Sequence, residues 1–149
     1  MPGAVPVGMI RRMPARLVRS ESLYAGAPYA YASVAPPGSL IFTAGACPID
    51  ENGKVTAVGD YERQAADAMS NLVTALAAVG AGLGDVLKST VYVASTDVHD
   101  LHAVWEVVHS AFGAHDAPST LLGVTVLGYA GQLVEVEAVA SGPVGSDSG

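Results

Sequence analysis

The stretch LVEVEAVAS, residues 133–141, decides the fold class, because its apolar residues alternate at the period of two that is typical of a β-strand. The alternation places Glu135 and Glu137 together on the face opposite the apolar residues. Only 14% of the chain is charged. Two neighbouring carboxylates on one strand face therefore need a reason.

The segments upstream of this strand predict the rest of the sheet. VLKSTVYVA, residues 86–94, predicts a central strand, because both of its faces can be buried apart from Lys88 and a few hydroxyl groups. A turn centred on Asn52-Gly53 follows the third strand. The other predicted strands are residues 15–20, 29–34, 40–45 and 119–127.

Two segments change from a period of two to spacings of three and four, which predicts helices. The first begins at Tyr61 with Asp60 as a candidate N-cap, and the second follows a cap at Thr96 or Asp97 and runs to about Phe112, where Gly113 stops it. The predicted apolar stripes comprise Ala65, Met69, Leu72, Leu76 and Val79 on the first helix, and Val98, Leu101, Val104 or Trp105, Val108 and Phe112 on the second.

The order β-β-β-α-β-α-β-β predicts an α+β fold in which both helices cover one face of a mixed sheet. The other face of the sheet then needs a different cover. Half of the chain is apolar, and no run approaches the roughly 18 apolar residues of a membrane span. We therefore expect a homo-oligomer whose subunits bury the second face, and no membrane partner.

Composition sets the broad class of the protein. The formal net charge is −7 and the seven Lys and Arg residues are scattered, so we expect no nucleic-acid partner. A single Cys fits a reducing, cytoplasmic compartment. We expect one domain over residues 13–141, a disordered N-terminal extension over residues 1–12 and a flexible tail over residues 142–149.

Several stretches of the chain together resemble one family. They are APY (27–29), TAGACPIDENGKV (43–55), the segment 64–104, APST (117–120) and VEVEAVA (134–140). With these landmarks the chain from about Ala15 to Ser141 resembles the RidA (YjgF/YER057c/UK114) family. The resemblance implies a chorismate-mutase-like protomer and a trimer around a β-barrel core. It also implies small-molecule clefts between subunits, where enamine or imine intermediates are hydrolysed to 2-oxo acids and ammonia.

The same resemblance implies site residues. Its catalytic, water-positioning carboxylate corresponds to Glu135, its pocket tyrosine to Tyr29 and its pocket-loop glycine to Gly45. Deaminases of the family carry a Pro-Ala-Arg-Ser motif whose Arg clamps the substrate carboxylate, whereas residues 118–121 of this chain are PSTL. The substrate-binding candidates there are Ser119 and Thr120, with Thr120 at the Arg position. Neutral hydroxyls bind carboxylates more weakly than a guanidinium does, which predicts a weaker or altered preference for them.

Each candidate also has a purely structural explanation. The alternative for Glu135 is an exposed acid on a strand, the alternative for Tyr29 is an interface tyrosine, and the alternative for the two hydroxyls is a pair of loop residues without a ligand. Cys47 follows the pocket glycine, but no basic residue near it in sequence favours a thiolate, so we interpret it as a small packing residue.

Spacing argues against a metal or a cofactor. The four His residues form no His-x-x-x-His pair with a nearby carboxylate on one clear face, so we expect no metal site. The glycine-rich stretch at residues 80–84 follows a helix instead of opening one, so we expect no phosphate-binding loop and no cofactor. Two functions remain: a cofactor-free enamine or imine deaminase, and a non-catalytic trimer that binds or senses a small metabolite.

Overall fold

The computed structural model describes residues 14–143. The predicted N-terminal extension lies outside this range, and so does the predicted tail from residue 144 onward. Gly142 and Pro143 are described, and both contact Ser39: the Gly142 N–H donates to the Ser39 carbonyl at 2.8 Å, and the Ser39 hydroxyl donates to the Pro143 carbonyl at 3.1 Å. The division into extension, domain and tail stays a prediction.

The elements of the described residues follow the predicted order. They are β1 (Arg16–Val18), β2 (Ala32–Val34), β3 (Leu40–Phe42), α1 (Tyr61–Ala78), β4 (Val86–Val93), α2 (Val98–Phe112), β5 (Ser119–Gly123) and β6 (Val134–Ser141). A short 3₁₀ turn, Leu83–Asp85, leads into β4. Within residues 14–143, no helix combines the length and the hydropathy that a membrane span needs.

The main sheet is mixed and has the strand order β3-β6-β4-β5. β4 runs parallel to β5 and antiparallel to β6, which in turn pairs antiparallel with β3. The apolar face of β6 is fully buried beneath the helices, with Val134 and Val136 in the same core as Leu72 and Val104. The predicted α+β class, with both helices on one face of a mixed sheet, is confirmed.

The first two strands depart from the single predicted sheet. β1 and β2 pair only with each other, as a two-stranded ribbon. The ribbon contacts the main sheet through a side chain, because the Ser33 hydroxyl donates to the Leu87 carbonyl at 2.6 Å. Leu87 is an extra residue in the register between β4 and β6, so its carbonyl is available outside the ladder.

Both helices begin where the sequence predicts. The Asp60 carboxylate accepts the Arg63 N–H, and Asp97, not Thr96, caps α2 by accepting the His99 N–H, each at 2.9 Å. The predicted stripes are wrong at their ends, since Val79 is 50% exposed and Val98 is 54% exposed. Val79 is the C-cap of α1 and Val98 is the first residue of α2, so neither lies over the sheet.

Two strands are shorter than predicted. β5 ends at Gly123, not residue 127, because its parallel partner β4 ends at Val93, directly opposite. β3 ends at Phe42, not residue 45, because the Thr43 hydroxyl takes the Ala138 N–H. Pairing with β6 resumes at residue 46.

The second face of the main sheet lies opposite the helices, and we call it the open face. Its residues are half-buried or exposed in the protomer, as the alternation along β6 predicts for Glu135 and Glu137. Phe42 is 73% exposed and Leu122 is 42% exposed. The open face thus carries charged groups at its centre and apolar side chains on both outer strands.

Candidate functional site

The Glu135 carboxylate lies against the backbone of Gly45. A Cβ added at Gly45 would stand 2.5 Å from Glu135 Cδ and 2.6 Å from Oε1, closer than real Cβ atoms come to any neighbour. Gly45 does not adopt a left-handed conformation. Only glycine at this position leaves the carboxylate room to lie over the loop, because any Cβ would make the Glu135 side chain move away.

A bulge produces this close approach. Phe42 pairs with Val139 and Ala46 pairs with Val136, so three loop residues lie opposite two residues of β6. The extra residue bends the loop toward the open face. Asn71 of α1 then fixes the end of the loop, because its side-chain amide donates to the carbonyls of Cys47 at 2.8 Å and Ile49 at 3.0 Å.

Cys47 is the direct partner of Glu135. Its thiol lies 3.0 Å from Glu135 Oε1 and donates a hydrogen bond to it. The pKa of the Cys47 thiol is raised from 9.0 to about 11, chiefly by burial and then by the hydrogen bond to Glu135 and the charge of that carboxylate. Cys47 is therefore a protonated thiol at neutral pH and donates to the Glu135 carboxylate. This agrees with the sequence, in which no basic residue near Cys47 favours a thiolate.

A surface hollow of about 450 Å³ opens beside this pair, and we call it the acidic hollow. It is lined by Gly45, Cys47, Ile49, Asp50, Glu51, Asn71 and Tyr129. Its mixture of carboxylates, an amide and a tyrosine suits a polar ligand that donates hydrogen bonds. Glu135 reaches it through the Cys47 thiol and the Gly45 backbone.

A second hollow of about 450 Å³ gathers the other predicted residues, and we call it the aromatic hollow. It is lined by Pro28, Tyr29, His102, Trp105, Ser119, Thr120 and Leu121. The Tyr29 and Trp105 rings meet edge to face with centroids 6.4 Å apart. The Ser119 hydroxyl is hydrogen-bonded to the Ser89 hydroxyl. Of the two predicted binding residues, Ser119 is half-buried and Thr120 is exposed.

An ionic network supports the aromatic hollow from behind. Arg19 pairs with Asp116 at 2.8 Å and also donates to the carbonyl of Tyr29 at 3.1 Å. His109 contacts the same Asp116 at 3.1 Å, and its ring stacks on Trp105 with centroids 5.7 Å apart. Arg19, which is near the N-terminus, therefore positions the Tyr29 loop and does not point into a ligand site.

The two hollows are separate within one protomer. Thr120 pairs with Thr90, which pairs with Glu137, whereas Glu135 is opposite Tyr92. Two strand spacings and a two-residue offset separate Thr120 from Glu135 by about 12 Å. The structure thus brings Gly45 to Glu135 and Tyr29 to Ser119 and Thr120, but it does not join these two sets inside one chain.

The open face between the hollows carries groups that the sequence did not single out. The Tyr92 hydroxyl donates to Glu137 Oε1 at 2.6 Å, and this hydrogen bond raises the pKa of Tyr92. The Lys88 ammonium donates to the Thr120 hydroxyl at 2.6 Å. The alternation along β4 puts Lys88 and Tyr92 on one face, but the partners follow only from the strand register.

The histidines have local partners. His115 contacts the carbonyl of Val86 at 2.7 Å, and His99 contacts its own N-cap, Asp97, at 2.9 Å. Within residues 14–143, no three His, Cys, Asp or Glu side chains are grouped so as to hold a metal ion.

Comparison with known proteins assigns the family. The family described as Endoribonuclease L-PSP matches residues 20–141, which is most of the chain. The chain belongs to this family. Its members include proteins with the Rid and YjgF/YER057c/UK114 names, so this is the family that the sequence resembles.

Relatives in the Endoribonuclease L-PSP family span nearly the whole fold. A RutC family protein of Pyrococcus horikoshii is 34% identical over 110 residues, which is 74% of this chain and 85% of the relative. A Rid protein of Yersinia pestis, YyfB, superposes with a TM-score of 0.81 at 26% identity, covering 87% of this chain and 99% of YyfB.

One relative carries a named chemistry and a ligand. TdcF of Escherichia coli, a proposed reactive intermediate deaminase, is 33% identical over 81 residues, which is 54% of this chain and 60% of TdcF. A structure of TdcF with bound serine superposes with a TM-score of 0.60 at 27% identity, covering 85% of this chain and 98% of TdcF. A small amino acid is therefore a ligand of that protein.

Proposed function

We propose that this chain is a cofactor-free deaminase that hydrolyses a reactive enamine or imine to a carbonyl compound and ammonia. The observation that carries the proposal is the pair formed by Gly45 and Glu135, in which a glycine makes room for a carboxylate beside a hollow. The deaminase name of the relative TdcF supports the reaction class. The single Cys, which has no second Cys in the chain to pair with, supports a cytoplasmic setting.

The chemistry needs one water and one carboxylate. An enamine first takes a proton at carbon and loses one from nitrogen, which gives the imine. Glu135 accepts a hydrogen bond from water and directs the water oxygen at the imine carbon. The C–O bond forms as the C=N π electrons move to nitrogen, while Glu135 takes one proton from the water and passes it to the nitrogen. The resulting carbinolamine then transfers its hydroxyl proton to the nitrogen and expels ammonia as the C=O bond forms.

We propose that the working site is shared between subunits of a homotrimer. The aromatic hollow and Glu135 are about 12 Å apart along the sheet of one chain, too far to hold one small imine together. The exposed apolar side chains of the open face, Phe42 and Leu122 among them, favour its burial against another copy. In that assembly Tyr29 and Thr120 of one subunit face Glu135 of its neighbour.

A second function is favoured by Thr120. A hydroxyl at the position where the RidA resemblance expects Arg suits a trimer that binds or senses a small metabolite without turning it over. Ligand-dependent thermal stabilisation without turnover would support this alternative. RNA cleavage is not proposed, because a chain with net charge −7 and scattered basic residues offers phosphates no basic surface.

The experiment generates 2-iminopropanoate and 2-iminobutanoate in situ and follows their disappearance with wild type and with Glu135→Ala. Wild type is expected to accelerate clearance over buffer, and the variant to lose about 100-fold or more of that acceleration. Glu62→Ala, which removes an exposed carboxylate from the first turn of α1, is the matched control. Equal clearance by wild type and Glu135→Ala, or no acceleration over buffer, refutes the deaminase proposal for these substrates.

A further inference from the structure

Lys88 stands out on the main sheet because of its charge. Among the described residues 14–143, it is the one Lys or Arg that lies on the four-stranded sheet. Val86 pairs with Ala140 and Lys88 with Val139, so the extra residue Leu87 resets the alternation. The bulge lets Val86 and Leu87 both be buried while Lys88 reaches the open face.

Lys88 lines a small hollow of about 180 Å³ on the open face together with Thr90 and Glu137, and its ammonium reaches from there to the edge of the aromatic hollow. It donates to the Thr120 hydroxyl at 2.6 Å, and Thr120 lines that hollow. The ion pairs formed within residues 14–143 involve Arg19, Arg63, His99 and His109, and none of them uses Lys88. An ammonium has three N–H donors, so one hydroxyl contact leaves capacity for an anion.

The surroundings of Lys88 make a cation important for any anionic ligand. Glu135 and Glu137 lie on the same open face, and Asp50 and Glu51 line the acidic hollow. A carboxylate that approaches Glu135 would meet only like charge from these groups. A cation next to Thr120 makes the electrostatic potential there favourable for the carboxylate of such a ligand, whose other end approaches Glu135.

We propose that Lys88 is the anion anchor of this site and that, together with the Thr120 hydroxyl, it binds the carboxylate of the substrate. This rests on the proposed function and adds a residue to it: the carboxylate is held by a cation on β4, whereas the RidA resemblance expects an Arg on β5, at the position of Thr120. The ammonium supplies the charge that a guanidinium would bring to this position. Because it is a point charge and not a planar fork, it binds the carboxylate without fixing its rotation.

Binding of a carboxylate probe tests the anchor without needing turnover. We would measure by calorimetry the affinity of 2-oxobutanoate and of its neutral amide for wild type, Lys88→Met and Lys88→Arg. Wild type is expected to prefer the carboxylate, Lys88→Met to bind it at least about 10-fold more weakly, and Lys88→Arg to stay within a few-fold of wild type. Lys54→Met is the matched control, because it removes the same charge from an exposed turn.

The outcomes separate the anchor from the deaminase. Equal affinity of wild type for the acid and the amide, or unchanged carboxylate binding by Lys88→Met, overturns the anchor. Lys88-dependent binding without any imine clearance supports the anchor and rejects the deaminase. Clearance of 2-iminopropanoate that Lys88→Met leaves unchanged rejects the anchor alone. If Lys88→Met does not fold, Lys88→Gln takes its place, and Thr120→Val must weaken carboxylate binding in the same direction.

Discussion

Gly45→Ala is the most informative single substitution, because the structure fixes its consequence in ångströms. The new Cβ would stand 2.5 Å from Glu135 Cδ, whereas ordinary contacts begin at about 3.4 Å. The carboxylate must therefore retreat by roughly 0.9 Å, which also breaks its 3.0 Å hydrogen bond with the Cys47 thiol. A displacement of about 1 Å of a catalytic group costs on the order of 100-fold in rate, or about 2.7 kcal/mol of transition-state stabilisation.

Two assays read this substitution. Clearance of 2-iminopropanoate should fall by about 100-fold. The pH dependence of alkylation at the single Cys should shift to lower pH, because burial still raises the pKa of Cys47 but the departing carboxylate no longer adds to that increase. Gly84→Ala is the control, since a Cβ there meets nothing within 4 Å. Full activity together with an unchanged alkylation profile in Gly45→Ala would show that the Glu135 carboxylate does not lie against Gly45.

Three further predictions concern assembly and stability. Phe42→Asp introduces a charge on the open face at a side chain that is 73% exposed, so we expect the oligomer to dissociate to a 15.0 kDa species. Light scattering measures the mass, and an unchanged mass would show that this face is not an interface. Asp60→Ala removes the N-cap of α1 and should lower the free energy of unfolding by about 1 kcal/mol in urea titration, whereas no change would show that the cap contributes nothing. Leu72→Ala should cost about 2–5 kcal/mol because Leu72 is fully buried, while Val73→Ala, at 42% exposure, should cost much less; equal losses would contradict the assignment of the helix face.

The fold could be predicted from the sequence because strong local patterns specify it. The alternation in residues 133–141 and the helical spacing after Tyr61 agree with the caps at Asp60 and Asp97. The predictions are wrong at strand ends, because the length of a strand depends on the length of a partner strand from elsewhere in the chain. β5 ends at Gly123 because its partner β4 ends directly opposite. The sequence of residues 124–127 carries no information about the length of β4.

The candidate site was only partly predictable, because side-chain contacts depend on register. The family resemblance points to Glu135 and Gly45, and the structure joins them. The Cys47 contact to Glu135 follows from the bulge between Phe42 and Ala46, which periodicity does not reveal. The interpretation of Cys47 as a packing residue considers only its neighbours in sequence. Its hydrogen-bond partner, Glu135, lies 88 positions further along the chain.

The central claim is that one site is built from two chains, and subunit mixing tests it most directly. Glu135→Ala and Lys88→Met proteins, each expected to clear 2-iminopropanoate at about a tenth of the wild-type rate or less when substrate is scarce, would be unfolded, mixed in equal amounts and refolded together, with each variant refolded separately as the control. If Lys88 and Thr120 of one subunit serve Glu135 of the next, about a quarter of the interfaces regain both groups, and clearance of 2-iminopropanoate should return to about 25% of wild type. Activity that stays at the level of the separate variants, although mass spectrometry shows mixed trimers, would contradict a shared site.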